Sequence, residues 1–351
     1  MNPGKLKILV TGVSGLLGSN LAYYFRDRHE MIGIYHSNHV EISRVTTVKG
    51  DITKPDEMQW VVSKFQPDVV IHCASLTNID YCETHRAAAH RINVEGTRNL
   101  VQSLRESTAK LIYISTDAVF DGLKGNYSET DSVSPPNYYG QTKYEGELEA
   151  QQREKSLIVR TNIFGWNIRN KYSLAEWILY ELMAEREIPG FVDVSFSSIY
   201  NFDLAQLLEQ AISMDLDGMY NIASGSSLTK YEFAIAIAER FGLNVNLVKP
   251  ISVHQFPLIA KRAKNLSLDV EKIRRTLQCP IPSIQQSIDN FQRDFLRGLH
   301  REIRTKIHPS PARLPFLPYG RQAIDDEDIQ AVVQVLKSTN LTQGPCVSAF
   351  E

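Results

Sequence analysis

Tyr139-Gly140-Gln141-Thr142-Lys143 sets a phenol and an ammonium four residues apart, which on a helix puts both on one face. A phenol with a reference pKa of about 10 is a weak acid at neutrality. A nearby ammonium and the cation of an oxidised nicotinamide favour the phenolate and bring proton transfer toward the working pH. Ser115-Thr116-Asp117 closes an apolar run that reads as a strand, and the carboxyl ends of such strands are where α/β sheets place their sites. A hydroxyl there can hold a carbonyl while Tyr139 delivers a proton and a bound cofactor delivers hydride.

A third signal lies near the start, where residues 5–10 read as a strand and run into Thr11-Gly12-Val13-Ser14-Gly15-Leu16-Leu17-Gly18. Gly12 permits a tight turn, Gly15 lets backbone approach a pyrophosphate, and Gly18 lets a helix pack closely on the strand with its N-terminus toward the phosphates. The spacing is GxxGxxG, a variant of GxGxxG. About 20 residues on, where NAD sites hold the adenosine ribose with a carboxylate, the chain reads Tyr35-His36-Ser37-Asn38. Without a carboxylate to repel a 2′-phosphate, NADP(H) is favoured over NAD(H). His36, Ser37 and Arg44 are candidates for that phosphate, and Asp51-Ile52 for the adenine amino group.

These groups need a frame. Apolar runs at 31–35, 45–48, 69–74, 111–115 and 157–160 alternate with helical periodicity near 56–64, 86–105 and 139–154. Continuous apolar strands alternating with helices predict an α/β fold, a Rossmann-type doubly wound parallel sheet covered on both faces. The later segments predict a smaller C-terminal substrate-binding lobe. The expected division puts the Rossmann core at about 5–160 and 191–213, and the lobe at about 161–190 and 214–300. Pro309, Pro311, Pro315 and Pro318 in a basic stretch mark a linker over 301–318. Asp325-Asp326-Glu327-Asp328 then opens a helix to about Lys337, within a last segment over 319–351.

Composition narrows the classes. The 351 residues carry a net charge of −2, so there is no basic field for nucleic acid or an anionic membrane. No window approaches a membrane span. The four cysteines, Cys73, Cys82, Cys279 and Cys346, form no CxxC pair and follow no secretory leader, which points to a reducing cytoplasm. No ligand spacing for a metal is present.

TGVSGLLG, Asp51-Ile52, YISTDAVFDG, PPNYYGQTKYEGE and VRTNIFG stand in an order and spacing that resemble the extended short-chain dehydrogenase/reductases. Within them the chain is most similar to the dTDP-4-dehydrorhamnose reductase branch, which also holds the regulatory β subunit of methionine adenosyltransferase. The resemblance covers about residues 5–300. It implies NAD(P)H-dependent reduction of a nucleotide-linked 4-keto-6-deoxy sugar, in polysaccharide or deoxysugar biosynthesis, with a non-catalytic NADP-binding regulatory subunit as the alternative. It implies Thr116 as the carbonyl hydrogen-bond donor, Tyr139 as general acid and Lys143 as the group that tunes Tyr139 and holds a ribose. Asn93 would support the proton relay, and Cys73, Ala74 and Ser75 would line the cofactor. Ser115, Asp117, Val119, Phe120, Arg160 and Arg262 would surround the sugar nucleotide. Asp117 is followed by Ala118, so the Asp-Glu pair of related dehydratases is missing. Residues 196–200 depart from the family's pattern, which leaves the sugar open. A homodimer is the expected assembly. The tail from Leu317 to Glu351 resembles the opening of pyridoxal-phosphate-dependent sugar aminotransferases without the Schiff-base lysine, which implies a truncated fusion or an associated aminotransferase.

Overall fold

The structure, a computed structural model, describes residues 4–169 and 171–307, with side chains as far as Arg304. These residues belong to one compact unit, 1–308. The remainder of the expected linker, the helix near 325–337 and the aminotransferase-like segment lie outside the described residues.

Seven strands form the central sheet: β1 (Lys7–Thr11), β2 (Glu30–Tyr35), β3 (Val45–Lys49), β4 (Val69–His72), β5 (Lys110–Ile114), β6 (Ser156–Arg160) and β7 (Gly218–Asn221). Their order is β7-β6-β5-β4-β1-β2-β3, and every pairing is parallel. The chain winds outward from β1 in one direction, then returns to β4 and winds outward in the other. The crevice at that switch, at the carboxyl ends of the strands, is where such sheets bind ligands.

Alternation along each strand feeds two cores. Ile8 and Val10 of β1 point into one, and Leu9 into the other, as period-2 side chains must. The second core receives Met58 and Val61 of α2 (Pro55–Phe65) and Leu100 of α3 (Gly96–Ser103). The first receives α1 (Leu16–Phe25) and α6 (Asn201–Ser213). It also runs without a break into α5 (Leu174–Met183), α7 (Lys230–Phe241) and α8 (Ile284–Leu296), so the lobe shares its core with the sheet. α4 (Tyr138–Ala150) carries the Tyr/Lys face against β5.

Three expected boundaries shift. Gly218–Asn221, assigned to the lobe from its place in the chain, is the seventh sheet strand. Residues 191–200, assigned to the sheet domain, supply short lobe strands: Ile188–Phe191 pairs with Val248–Ile251, and Ser195–Phe196 lies between Leu228–Thr229 and Asn265–Leu266. The start of the expected linker is also helical, because α9 (Leu299–Ile307) buries Ile303 completely and ends before the first of the four prolines. Among the described residues no helix is long and apolar enough to cross a membrane.

The glycine turn depends on close backbone contact. Gly12 sits at φ +70°, and a Cβ on Gly18 would stand 2.3 Å from the Gly12 carbonyl oxygen. Backbone cannot yield as a flexible side chain does. Gly18→Ala is therefore expected to lower unfolding free energy by about 1–3 kcal/mol, read as an earlier urea midpoint; an unchanged midpoint would contradict this packing.

Candidate active site

A cleft of about 810 Å³ opens at the carboxyl ends of the strands. Gly12 and Gly15 to Gly18 form one wall, Cys73 and Ser75 follow β4, Ser115 to Ala118 follow β5, and Tyr139 and Lys143 enter from α4. The turn closes with the Gly15 N–H donating to the Gly12 carbonyl at 2.9 Å. Gly15 is also the N-cap of α1, with no side-chain cap and no acidic residue in the first turn. The first-turn N–H groups thus lack side-chain partners where the helix carries its positive end. An anionic group fits there. Ser14 is buried beneath the turn and does not line the cleft.

Asn137 caps α4 by accepting from the Gly140 N–H at 3.0 Å. A Cβ on Gly140 would stand 2.2 Å from the Ala118 carbonyl oxygen, so the helix start lies directly on the short turn after β5. That contact brings Tyr139 beside Thr116. The Thr116 hydroxyl accepts from Ala118 N at 3.1 Å and donates to Asp117 Oδ1 at 3.0 Å. Asn162 Nδ2 donates to the other Asp117 oxygen at 2.9 Å.

Burial dominates the charges. It pushes the Tyr139 phenol well above its ordinary range, with the Thr116 hydrogen bond offsetting only part. It pushes Lys143 down to about 8 against the opposing pull of Glu147 and Cys73, and Asp117 up to about 6 against the hydrogen bonds from Asn162 and Thr116. The expected lowering of Tyr139 by Lys143 is not realised: Lys143 Nζ donates to the Ile114 carbonyl at 2.8 Å and lies 4.2 Å from the Tyr113 ring centroid. Tyr139 therefore holds its proton at neutral pH. Burial likewise pushes the Cys73 thiol up to about 12, which makes it an inert packing group.

Several expected residues serve the frame and not the cleft. Arg160 is buried, with Nε donating to Glu147 Oε1 at 2.9 Å and Nη2 to Oε2 at 2.7 Å. Its side chain turns under α4 because Glu147, which has no solvent exposure, supplies the counter-charge there. Val119 and Phe120 are fully buried, Phe120 stacking on Tyr127 at 4.2 Å. Asn93 does not line the cleft. It sits in the π-helical turn Arg91–Glu95, accepts from Ser75 Oγ at 2.9 Å and donates to Thr142 Oγ1 at 2.9 Å, tying the segment after β4 to α4. Ala74 spends its N–H on Thr11 Oγ1 at 3.1 Å. Ser115 does line the cleft while donating to Glu147 at 2.5 Å. Arg262 lines it too, but its guanidinium is held by Asp80 at 3.0 and 2.9 Å.

Past the ends of β2 and β3, His36 Nε2 stands 3.6 Å from Asp51 Oδ2 beside a second hollow of about 560 Å³. Asp51 accepts from Thr53 N and Oγ1 at 2.9 and 2.8 Å; burial raises its pKa, but these bonds outweigh that and hold it low. Ile52 belongs to the core, against Gly96. Ser37 is exposed and lines neither hollow, and Arg44 is paired with Asp27 at 2.5 Å. Among the described residues no His/Cys/Asp/Glu group could hold a metal.

Sequence reading missed Glu147 and Lys230. Glu147 was legible in principle, as the third member of the i, i+4, i+8 face begun by Tyr139 and Lys143. Lys230 lines the cleft 4.7 Å from the Phe196 ring centroid, and burial lowers its pKa against the attraction of Asp117. No spacing marked it. Removing one partner of a buried pair strands the other charge, so Arg160→Met is expected to cost about 3–5 kcal/mol. Denaturant titration checks this, and a loss under 1 kcal/mol on the scale of an exposed pair would contradict the assignment.

The family model described as RmlD substrate binding domain matches residues 6–297. The dTDP-4-dehydrorhamnose reductase of Aggregatibacter actinomycetemcomitans is 31% identical over 300 residues, covering 82% of this chain and 98% of that protein. Methionine adenosyltransferase 2 subunit beta of Danio rerio is 29% identical over 276 residues, covering 76% of this chain and 84% of that protein. The solved dTDP-4-dehydrorhamnose reductase from Bacillus anthracis in complex with NADP superposes with a TM-score of 0.74 at 28% identity, covering 83% of this chain and 99% of that one.

Proposed function

The chain belongs to the RmlD substrate-binding domain family, and on that premise we propose that it is an NAD(P)H-dependent reductase of a nucleotide-linked 4-keto-6-deoxy sugar, of the dTDP-4-dehydrorhamnose reductase type. The observation that carries the reading is the meeting of Thr116, Tyr139 and Lys143 on a cleft that also contains the uncapped start of α1. Gly12 and Gly15 to Gly18 would hold the pyrophosphate of a dinucleotide, Cys73 and Ser75 would floor the site, and Lys143 would hold ribose hydroxyls. NADP(H), favoured over NAD(H) by the absence of a carboxylate at 36–38, supplies the hydride when bound.

The chain's own groups do the rest. The Thr116 hydroxyl, turned from Asp117 Oδ1, donates to the ketone oxygen, and Tyr139 passes its proton to that oxygen as charge develops. Lys143, charged below about 8 and held by the Ile114 carbonyl, keeps the ribose of the cofactor placed for the transfer. Lys230 and Asp117 stand at the same cleft as polar contacts for the sugar nucleotide. The likeness to methionine adenosyltransferase 2 subunit beta supports a second reading, a regulatory NADP-binding subunit, but the complete Thr116, Tyr139 and Lys143 set favours catalysis. A cytoplasmic setting suits the unpaired Cys73, Cys82 and Cys279. The reading extends to a homodimer, and to a tail left from, or directed to, an aminotransferase acting on the same class of sugar.

Tyr139→Phe is expected to lose more than ~10²-fold in turnover while keeping NADPH binding, measured as NADPH oxidation over a panel of 4-keto nucleotide sugars and as nucleotide fluorescence. Retained turnover would remove the assignment. Lys143 has its pKa lowered from 10.5 to about 8, so its charge is present below that value and lost above it. The reduction rate is therefore expected to decline as pH rises through about 8, and a flat profile across that range would contradict the role given to Lys143.

A further inference from the structure

Helix α9 begins at Leu299, just past residue 297 where the family match ends, yet it reaches the cleft wall. Arg304 Nη2 donates to Glu176 Oε1 at 2.8 Å, and Nε donates to the Asn167 carbonyl at 3.4 Å. The guanidinium carbon lies 5.3 and 5.4 Å from the ring centroids of Tyr172 and Tyr180.

Glu176 has no solvent exposure, and both its oxygens are committed. Oε1 also accepts from Asn167 N at 3.1 Å, and Oε2 accepts from Ser173 N at 2.8 Å. Burial pushes the Glu176 carboxyl up to about 7, and the Ser173 and Asn167 donors together with Arg304 pull the other way, toward the anion. Arg304 supplies the cation that makes a buried anion tolerable there.

The segment held in this way stands beside the glycine turn. Asn20 Nδ2 donates both to the Leu16 carbonyl at 2.7 Å and to the Trp166 carbonyl at 2.8 Å, which joins the start of the segment to the first turn of α1. Arg169 and Lys171 from this segment line the cleft, and among the described residues neither pairs with a carboxylate.

We propose that Arg304 is a positioning residue for cofactor binding: through Glu176 it holds Asn167 and Ser173, and thereby presents Arg169 and Lys171 beside the pyrophosphate position at α1. The proposal rests on the reading of this cleft as an NADP(H) site. A helix outside the family's span completes a wall of the family's site.

The test uses the full chain as wild type, Arg304→Gln, Arg304→Lys, the double variant Arg169→Gln/Lys171→Gln, and the triple variant. NADPH dissociation constants come from fluorescence titration, alongside thermal midpoints and kcat at saturating NADPH. Arg304→Gln is expected to weaken NADPH binding about tenfold, the scale of one charge-assisted hydrogen bond, with kcat at saturation within about twofold. Arg304→Lys should recover most of the affinity. The double variant should weaken binding comparably with little change in midpoint, and the triple should fall short of additivity because the variants share one route. A lower midpoint with unchanged NADPH affinity in Arg304→Gln, or full additivity in the triple, would overturn the proposal and leave α9 a clasp on the body. Failure of the wild-type chain to bind NADPH would remove the reading of the cleft, and this proposal with it.

Discussion

Glu147 is a carboxylate without solvent contact, and the site is assembled around it. One oxygen takes hydrogen bonds from Ser115 at the end of β5 and from Arg160 at the end of β6, and the other takes a second bond from Arg160. Two strand ends are thus tied to the helix that carries Tyr139 and Lys143. A buried ion pair adds little net stability over a well-packed apolar alternative. It does discriminate strongly among arrangements, since any misplacement of α4 leaves a charge buried without its partner. Glu147 also attracts Lys143 one turn away, which sustains an ammonium that burial would otherwise discharge.

A second polar chain sets the other side of the cleft. The Ala74 N–H donates to Thr11 Oγ1 at 3.1 Å, and the Thr97 hydroxyl donates to the Asn93 carbonyl at 2.7 Å. His72 joins the two threonines at 2.6 and 3.1 Å. Thr97 has spent its one hydrogen, so His72 Nε2 must donate to it and Nδ1 must accept from Thr11. The neutral ring this requires agrees with burial and Lys143 lowering its pKa to about 3. The chain ends on the Asn93 carbonyl, within a π-helical turn of the kind frequent at functional sites. Glycine turn, β4 and the Asn93 turn are locked in one register, and Asn93 carries that register to α4 through Thr142.

Burial is also what makes the chemistry coherent. A nearly neutral chain has no field to gather anions, and the cleft relies on the start of α1 and a few cations. The same dryness raises Tyr139 and Asp117 and lowers Lys143. A raised phenol keeps its proton but gives it up less readily, the opposite direction from the one spacing alone suggested. Spacing reveals which groups share a helix face, whereas pKa depends on the distance to each charge and on the water excluded, and neither is written in the spacing.

The sequence by itself determined the local features: the glycine turn, the strand and helix alternation, and the helix face of Tyr139 and Lys143. Each follows from side-chain period or backbone freedom within a few residues. Tertiary structure decided what long-range partners decide. Arg160 looked like a substrate contact until Glu147 drew it under α4, and Val119 and Phe120 entered a core formed with Tyr127 and Leu268. Gly218–Asn221 became a sheet strand because β6 left an edge to pair. The basic stretch after Arg301 became helix because Ile303 found an apolar core and Arg304 found a buried carboxylate. In each case the deciding partner lies elsewhere in the chain, and only folding brings its charge or apolar surface within reach.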